Sequence, residues 1–177
     1  MWRMAFFYAV LTRAWSDAAL LLSRPPADFA KERIAVATRS IDVRSGAQPL
    51  DSELYAVAQQ TLLRASPFAA LIAVNACAQI GLIDEAFAAL ELAMQLHPPE
   101  QLWSQWSLET ANTGGTSILF VPGAEAMRAD PRFLPQCARL GLCAYWTETG
   151  LWPDFIADAP NSGELEAKAR ERAAGAA

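Results

Sequence analysis

Histidine occurs once in this sequence, lysine twice and cysteine three times, and each scarcity removes a class of chemistry. His97 is the sole imidazole, so any catalytic triad or histidine general base would have to use it. It stands between Leu96 and Pro98 at the expected end of a helix, where an imidazolium interacts favourably with free carbonyls. No nucleophile motif lies beside it, and no catalytic residue is expected. Of fourteen basic residues only Lys31 and Lys168 are lysines, and the arginines are scattered. Without a basic stripe, and with a net charge of -5, the chain is not expected to bind nucleic acid directly. Cys77, Cys137 and Cys143 form neither an even set nor a metal-ligand spacing. They read as reduced, buried packing residues of a cytoplasmic protein, with no metal or cofactor expected. Long apolar runs are absent as well. The run from Met4 to Leu11 is interrupted downstream by Arg13 and Asp17, lacks a small-residue cleavage site and is far shorter than the ~20 residues of a spanning helix. It predicts a core helix, and no membrane association.

What is present is apolar and helix-forming. Hydrophobic residues make up 53 %, alanine is abundant and β-branched residues are sparse, a composition that favours an all-α fold packed through small side chains. The length suits one core. Thr113-Gly114-Gly115-Thr116 offers consecutive amides for an anion, but a phosphate loop needs a lysine and a preceding strand, and the segment reads as a connector. Asp84, Glu85 and Glu91 lie along one predicted helix, the first two where negative charge complements the helix dipole, and read as solvated.

Residues 67–100 form a 34-residue unit in which Gly81 separates two apolar-periodic halves and Pro98 closes the second. Small residues fall where two antiparallel helices must touch, Ala86 at repeat position 20 and Ala93 at position 27, with Leu90 between them and Pro98 at position 32. This resembles a tetratricopeptide (TPR) repeat. The first half departs from that pattern, carrying Ala70, Ala73, Val74 and Cys77 where an aromatic, leucine, glycine and tyrosine are usual. The resemblance implies a superhelix whose concave surface would be lined by Phe68, Leu71, Asn75, Ala78 and Gln79, a groove for a protein or peptide partner. Asn75 is its most useful member, since an amide can both donate to and accept from a peptide backbone.

Laid over residues 1–32, the same template puts Ala18 at position 20, Trp2 at position 4 and Leu22 at position 24, a degenerate first hairpin closed by Arg24-Pro25-Pro26. The chain thus reads as starting inside a repeat array, and Trp2, Phe6, Phe7 and Tyr8 make self-association through this hairpin an expectation. Ile34, Ala37 and Ile41 mark the next helix, with Asp28 as its cap, and Asp51 is placed to cap a second bearing Leu54, Leu62 and Ala65. A further helix is expected to carry Leu102, Trp103 and Trp106. Asp130-Pro131 predicts a helix start, with Gly141 and Gly150 ending the two that follow.

Phe120, Pro122, Arg128, Asp130-Pro131-Arg132-Phe133, Arg139-Leu140-Gly141-Leu142, Tyr145-Trp146, Thr149-Gly150 and Pro153-Asp154-Phe155 form a second distinctive block. It is similar to the closing segment after TPR repeats in bacterial regulators that carry a winged-helix or adenylate-cyclase-type domain. There a cysteine commonly follows Pro-Asp-Phe, and here Ile156 does. Phe133, Leu140, Leu142, Tyr145 and Trp146 are expected to cover the open end of the last repeat, with a partner-binding role for Tyr145 and Trp146 as the alternative.

The expectation is therefore an all-α chain of antiparallel helical hairpins stacked as a short TPR-like superhelix with a C-terminal helical cap. Its hairpins would span about 1–26, 27–66 and 67–100, its closing segment 101–157, and a polar flexible tail 158–177, a frayed helix or disordered beyond Pro160. The expected function is non-catalytic, a scaffold or adaptor in bacterial regulation or assembly. The alternative is the sensory half of a regulator whose output domain lies elsewhere.

Overall fold

The computed structural model describes residues 2–12, 14–27, 31–48, 63–64, 66–98, 102, 119–121 and 123–175. Among them the fold is all-α, as the composition predicts, and no strand occurs. The helices are α1 (Trp2–Leu11), α2 (Trp15–Leu22), α3 (Lys31–Arg44), α4 (Pro67–Gln79), α5 (Ile83–Leu96), α6 (Glu125–Ala129), α7 (Phe133–Arg139), α8 (Leu142–Thr149), α9 (Asp154–Ala157) and α10 (Ser162–Gly175).

Helix α4 is apolar on nearly every side, and a helix of that kind must be buried. Ala69, Ala70, Leu71, Ala73, Val74, Asn75, Ala76, Cys77 and Ala78 are all buried, leaving Ile72 and Gln79 partly exposed. Its start is set by Ser66, whose hydroxyl accepts a 3.1 Å bond from the Ala69 amide, and by Pro67, which occupies the first turn where no amide bond is lost. Its end is a Schellman turn: Leu82 N–H donates to Cys77 O and Gly81 N–H to Ala78 O. That turn needs φ of +84° at residue 81, and glycine adopts it without strain. The chain reverses in this tight turn and α5 packs on α4. Ala86, Leu90 and Ala93 are fully buried on α5, the alanines allowing close approach.

The N-terminal helices form a smaller apolar cluster of Ala9, Ala18, Leu22 and Ile41, joined by Trp2, Phe6, Trp15, Ile34 and Ala37. Trp2 stacks on Phe6 with ring centroids 5.2 Å apart and donates through Nε1 to the Leu21 carbonyl at 3.0 Å, which fastens α1 to α2. Arg44 lies over the Trp15 ring at 4.9 Å, a cation–π contact between α3 and α2. The packing order then runs α2 to α3, α3 to α4, α4 to α5, and onward into α6–α10.

The last segment corrects one expectation. Residues 158–177, expected as a polar flexible tail, contain α10, which packs on α7, α8 and α9. Leu165, Ala169 and Ala173, spaced by four, form its inward stripe, and Ala169 has no exposed surface. The stripe is narrow and mostly alanine, which is why it does not register as an apolar face in the sequence. Of the further helix expected to carry Leu102, Trp103 and Trp106, Leu102 is described, helical and without exposed surface; the rest of it, the expected helix around 54–62, the Asp28 and Asp51 caps, and the Thr113–Thr116 connector lie outside the described residues.

A buried charge at Ala169 has no partner and costs several kcal/mol. Ala169→Glu is therefore expected to lower stability by about 3 kcal/mol in urea unfolding, while Ala167→Glu, on the exposed side of α10, is expected to change it by less than about 0.5 kcal/mol. Equal, negligible effects of the two would show that the segment is not docked.

Candidate functional site

The groove predicted along the first helix of the 34-residue unit is not an open surface. Leu71 has no exposed area, Ala78 is 3 % exposed and Asn75 7 %. Gln79 alone of the expected set is described as partly exposed, and the side chain of Phe68 lies outside the described residues. The repeat resemblance assigned these positions to a concave surface, but Leu71, Asn75 and Ala78 are buried within this same chain. At the C-terminal end of α4 the cover is visible in detail. The loop residue Gly123, at φ +99°, runs so close that a Cβ there would meet Gln79 Cγ at 3.0 Å and an Arg44 guanidinium nitrogen at 3.2 Å. Three segments distant in sequence, the ends of α3 and α4 and the 119–124 connector, converge at this point.

The second candidate, the block from Phe120 to Phe155, is a packed aromatic centre. Phe120 lies edge-on to Phe133 and to Trp146, each at 6.0 Å, and stacks on Phe155 at 5.9 Å. Phe155 is also edge-on to Phe133 at 5.6 Å and to Trp146 at 6.1 Å. Such pairs add about 0.5–1.5 kcal/mol each beyond the area they bury. Arg128 holds the connector that delivers Phe120, donating from Nη1 to the carbonyls of Leu119 at 3.2 Å and Val121 at 3.0 Å. Burial lowers the Arg128 pKa and the nearby Glu125 carboxylate opposes that shift. Of the residues expected to form a cover, Phe133, Leu140 and Trp146 are buried and Leu142 is partly so, whereas Tyr145 points outward, 49 % exposed. Trp146, packed inside, is not available to a partner, and Tyr145 is.

A polar ladder fastens this block to α5. Asp84, Phe87 and Glu91 lie three and four residues apart on one face of α5, opposite Arg132, Gln136 and Arg139 at the same kind of spacing. The Arg132 guanidinium binds Asp84 Oδ1 at 2.8 Å, both oxygens of Asp130 at 2.9 and 2.8 Å, and lies 4.3 Å from the Phe87 ring centre. Gln136 Nε2 donates to Glu91 Oε1 at 3.1 Å and Arg139 pairs with the same oxygen. Asp84 and Glu91, read from sequence as solvated, are thus paired, Asp84 staying largely exposed and Glu91 partly so. Each exposed pair is worth at most about 1 kcal/mol, so the ladder sets register more than stability. Hydrogen bonds from Arg139 and Gln136 lower the Glu91 pKa.

His97 caps the end of α5, and its Nε2 lies 3.0 Å from the Leu63 carbonyl. Burial raises the Cys77 pKa to about 12, with Glu85 adding to the shift, and the Cys143 pKa to about 11; Cys137 is pushed well above its usual value, also by burial. Thiols in that state are poor nucleophiles and poor metal ligands. Among the described residues no group of three or more His, Cys, Asp or Glu is placed to hold a metal ion, and no helix is long and apolar enough to cross a membrane. Compared with protein-family models, curated proteins and solved structures, the chain gives no match.

The Asp130–Arg132 pair carries a pH prediction. Side-chain and backbone hydrogen bonds from Arg132 hold the Asp130 carboxyl down at about 2, below its ordinary 3.8. A depressed folded-state pKa contributes stability above the unfolded value that is lost as pH falls through the folded one. Stability attributable to this pair should therefore be full above about pH 5 and decline from there toward pH 2. Comparing wild type with Asp130→Asn by thermal unfolding, the difference in Tm should be present at pH 6 and shrink toward zero near pH 2. A constant difference across that range would contradict the assignment.

Proposed function

We propose that this chain is a non-catalytic protein–protein interaction module, a TPR-like scaffold or adaptor of bacterial regulation or assembly. The observation that carries the reading is the helix pair at 67–96, whose Ala86, Leu90 and Ala93 are fully buried at the positions where a 34-residue repeat demands contact. A second contact has the same period. His97 Nε2 meets the Leu63 carbonyl across a sequence separation of 34 residues. In an array of that period, residues one repeat apart occupy equivalent places in neighbouring units, so a contact at this spacing supports stacking of successive hairpins. The aromatic block from Phe120 to Phe155 serves in this reading as the cap that closes the array.

With Leu71, Asn75 and Ala78 buried, the partner engages the outer surface rather than the face of α4. The similarity of the Phe120–Phe155 block to the closing segment of bacterial regulators supports the sensory-half reading as the alternative.

Affinity capture with the full chain, followed by reconstitution from purified components, tests the proposal. A discrete protein should be retained and should rebind in purified form at about micromolar affinity or tighter. If no retained protein rebinds when purified, while a small molecule from the same extract raises the Tm, the alternative replaces it.

A further inference from the structure

Helix α10 is helical by its own composition and lightly attached to the rest. It is built mainly of alanine, glutamate, lysine and arginine, all strong helix formers. Two pairs at (i, i+4) spacing join its turns, Lys168 to Glu164 at 2.6 Å and Arg170 to Glu166 at 3.2 Å. Its docking stripe is thin by comparison. Ala169 is fully buried, while Leu165 and Ala173 pack on the main apolar cluster and stay partly exposed. Arg170 adds a cation–π contact, 5.1 Å from the Trp152 ring centre. Alanine carries little apolar area, so one leucine supplies most of what this stripe removes from water.

The block beneath α10 is secured by other means. Phe120, Phe133, Trp146 and Phe155 pack on one another, and Arg132, Gln136 and Arg139 bind α5, contacts in which α10 takes no part. Lifting α10 therefore leaves these contacts standing. Helix α8, on which α10 packs, carries the fully buried Cys143. Burial raises the Cys143 pKa to about 11 and Arg172 of α10 opposes that shift, which sets α10 beside the thiol.

We propose that α10 is a releasable strap: it lifts from α7, α8 and α9 while the rest of the chain stays folded, and lifting uncovers Cys143 and the apolar side of that block. An element held by far less burial than its surroundings opens before them. The uncovered side accepts a helix with a small-residue stripe spaced by four, since α10 itself is such a helix. While closed, the strap withholds that side from any other. Its opening is independent of the adaptor reading: a strap that opens in a protein with no partner stands, and a partner-binding protein whose α10 never opens overturns the strap alone.

Alkylation of the native full chain by iodoacetamide at about pH 8, read cysteine by cysteine by mass spectrometry, is the test. Cys77, buried in α4, is the internal reference, because it reacts only through global unfolding. Cys143 is expected to react at least about a hundredfold faster than Cys77. Its rate should be nearly independent of urea below the unfolding transition, whereas that of Cys77 climbs steeply. Leu165→Ala should raise the Cys143 rate about tenfold with its urea dependence unchanged. Arg170→Ala should raise it about threefold, and Ala167→Glu, on the exposed side, should leave it unmoved. If Leu165→Ala fails to fold, Arg170→Ala, whose side chain is more than half exposed, carries the test. Reaction of Cys143 at the Cys77 rate with the same steep urea dependence, or a Cys143 rate indifferent to loss of the α10 contacts, would overturn the proposal.

Discussion

The burial of α4 on nearly all sides is the constraint on which the rest of this structure depends. A helix with one apolar stripe can rest on a single neighbour, but a helix reading PFAALIAVNACAQ has no face that water favours. It therefore recruits cover from several directions: α5 through a three-residue reversal, α3 from the N-terminal side, and the connector before α6 across its end. The alanines make this possible. Ala69, Ala70, Ala73 and Ala78 bring neighbouring backbones close, and the dense contact that results is the main favourable term available to a domain of this size.

The C-terminal half meets α5 by two devices of different character. The aromatic centre of Phe120, Phe133, Trp146 and Phe155 is largely non-directional and supplies burial, whereas the ladder of Arg132, Gln136 and Arg139 against Asp84, Phe87 and Glu91 supplies register. Exposed ion pairs contribute little energy apiece, but a one-residue slip of α7 along α5 would break all three rungs together. Helix α10 then closes the outer side of α7 and α8 through Leu165, Ala169 and Ala173.

Glycine, proline and small-residue landmarks made most of the described helix boundaries legible in the sequence. Gly81, Gly141 and Gly150 all take the left-handed conformation at helix ends, and Ala86 and Ala93 mark a real helix–helix contact. Asp130-Pro131 was legible as a start, although α7 begins two residues later, because Asp130 spends its carboxylate on the Arg132 amide and guanidinium in a turn preceding the helix. What eluded sequence reasoning has a common cause: periodicity reveals which face is apolar and says nothing about what covers it. The repeat resemblance placed Leu71, Asn75 and Ala78 in a groove when they are buried, and the alanine stripe of α10 read as no face when it is docked. The pairing of Asp84 with Arg132 and of Glu91 with Arg139 spans 48 residues and is invisible to any local window.

Native-state amide hydrogen exchange tests the role of α4 most directly. If α4 is the element on whose burial the rest of the fold depends, its amides from Leu71 to Ala78 exchange only through global unfolding, and their exchange free energy equals that from urea unfolding. Exchange of those amides at the rate of the exposed end of α10, well below the global free energy, would contradict the account.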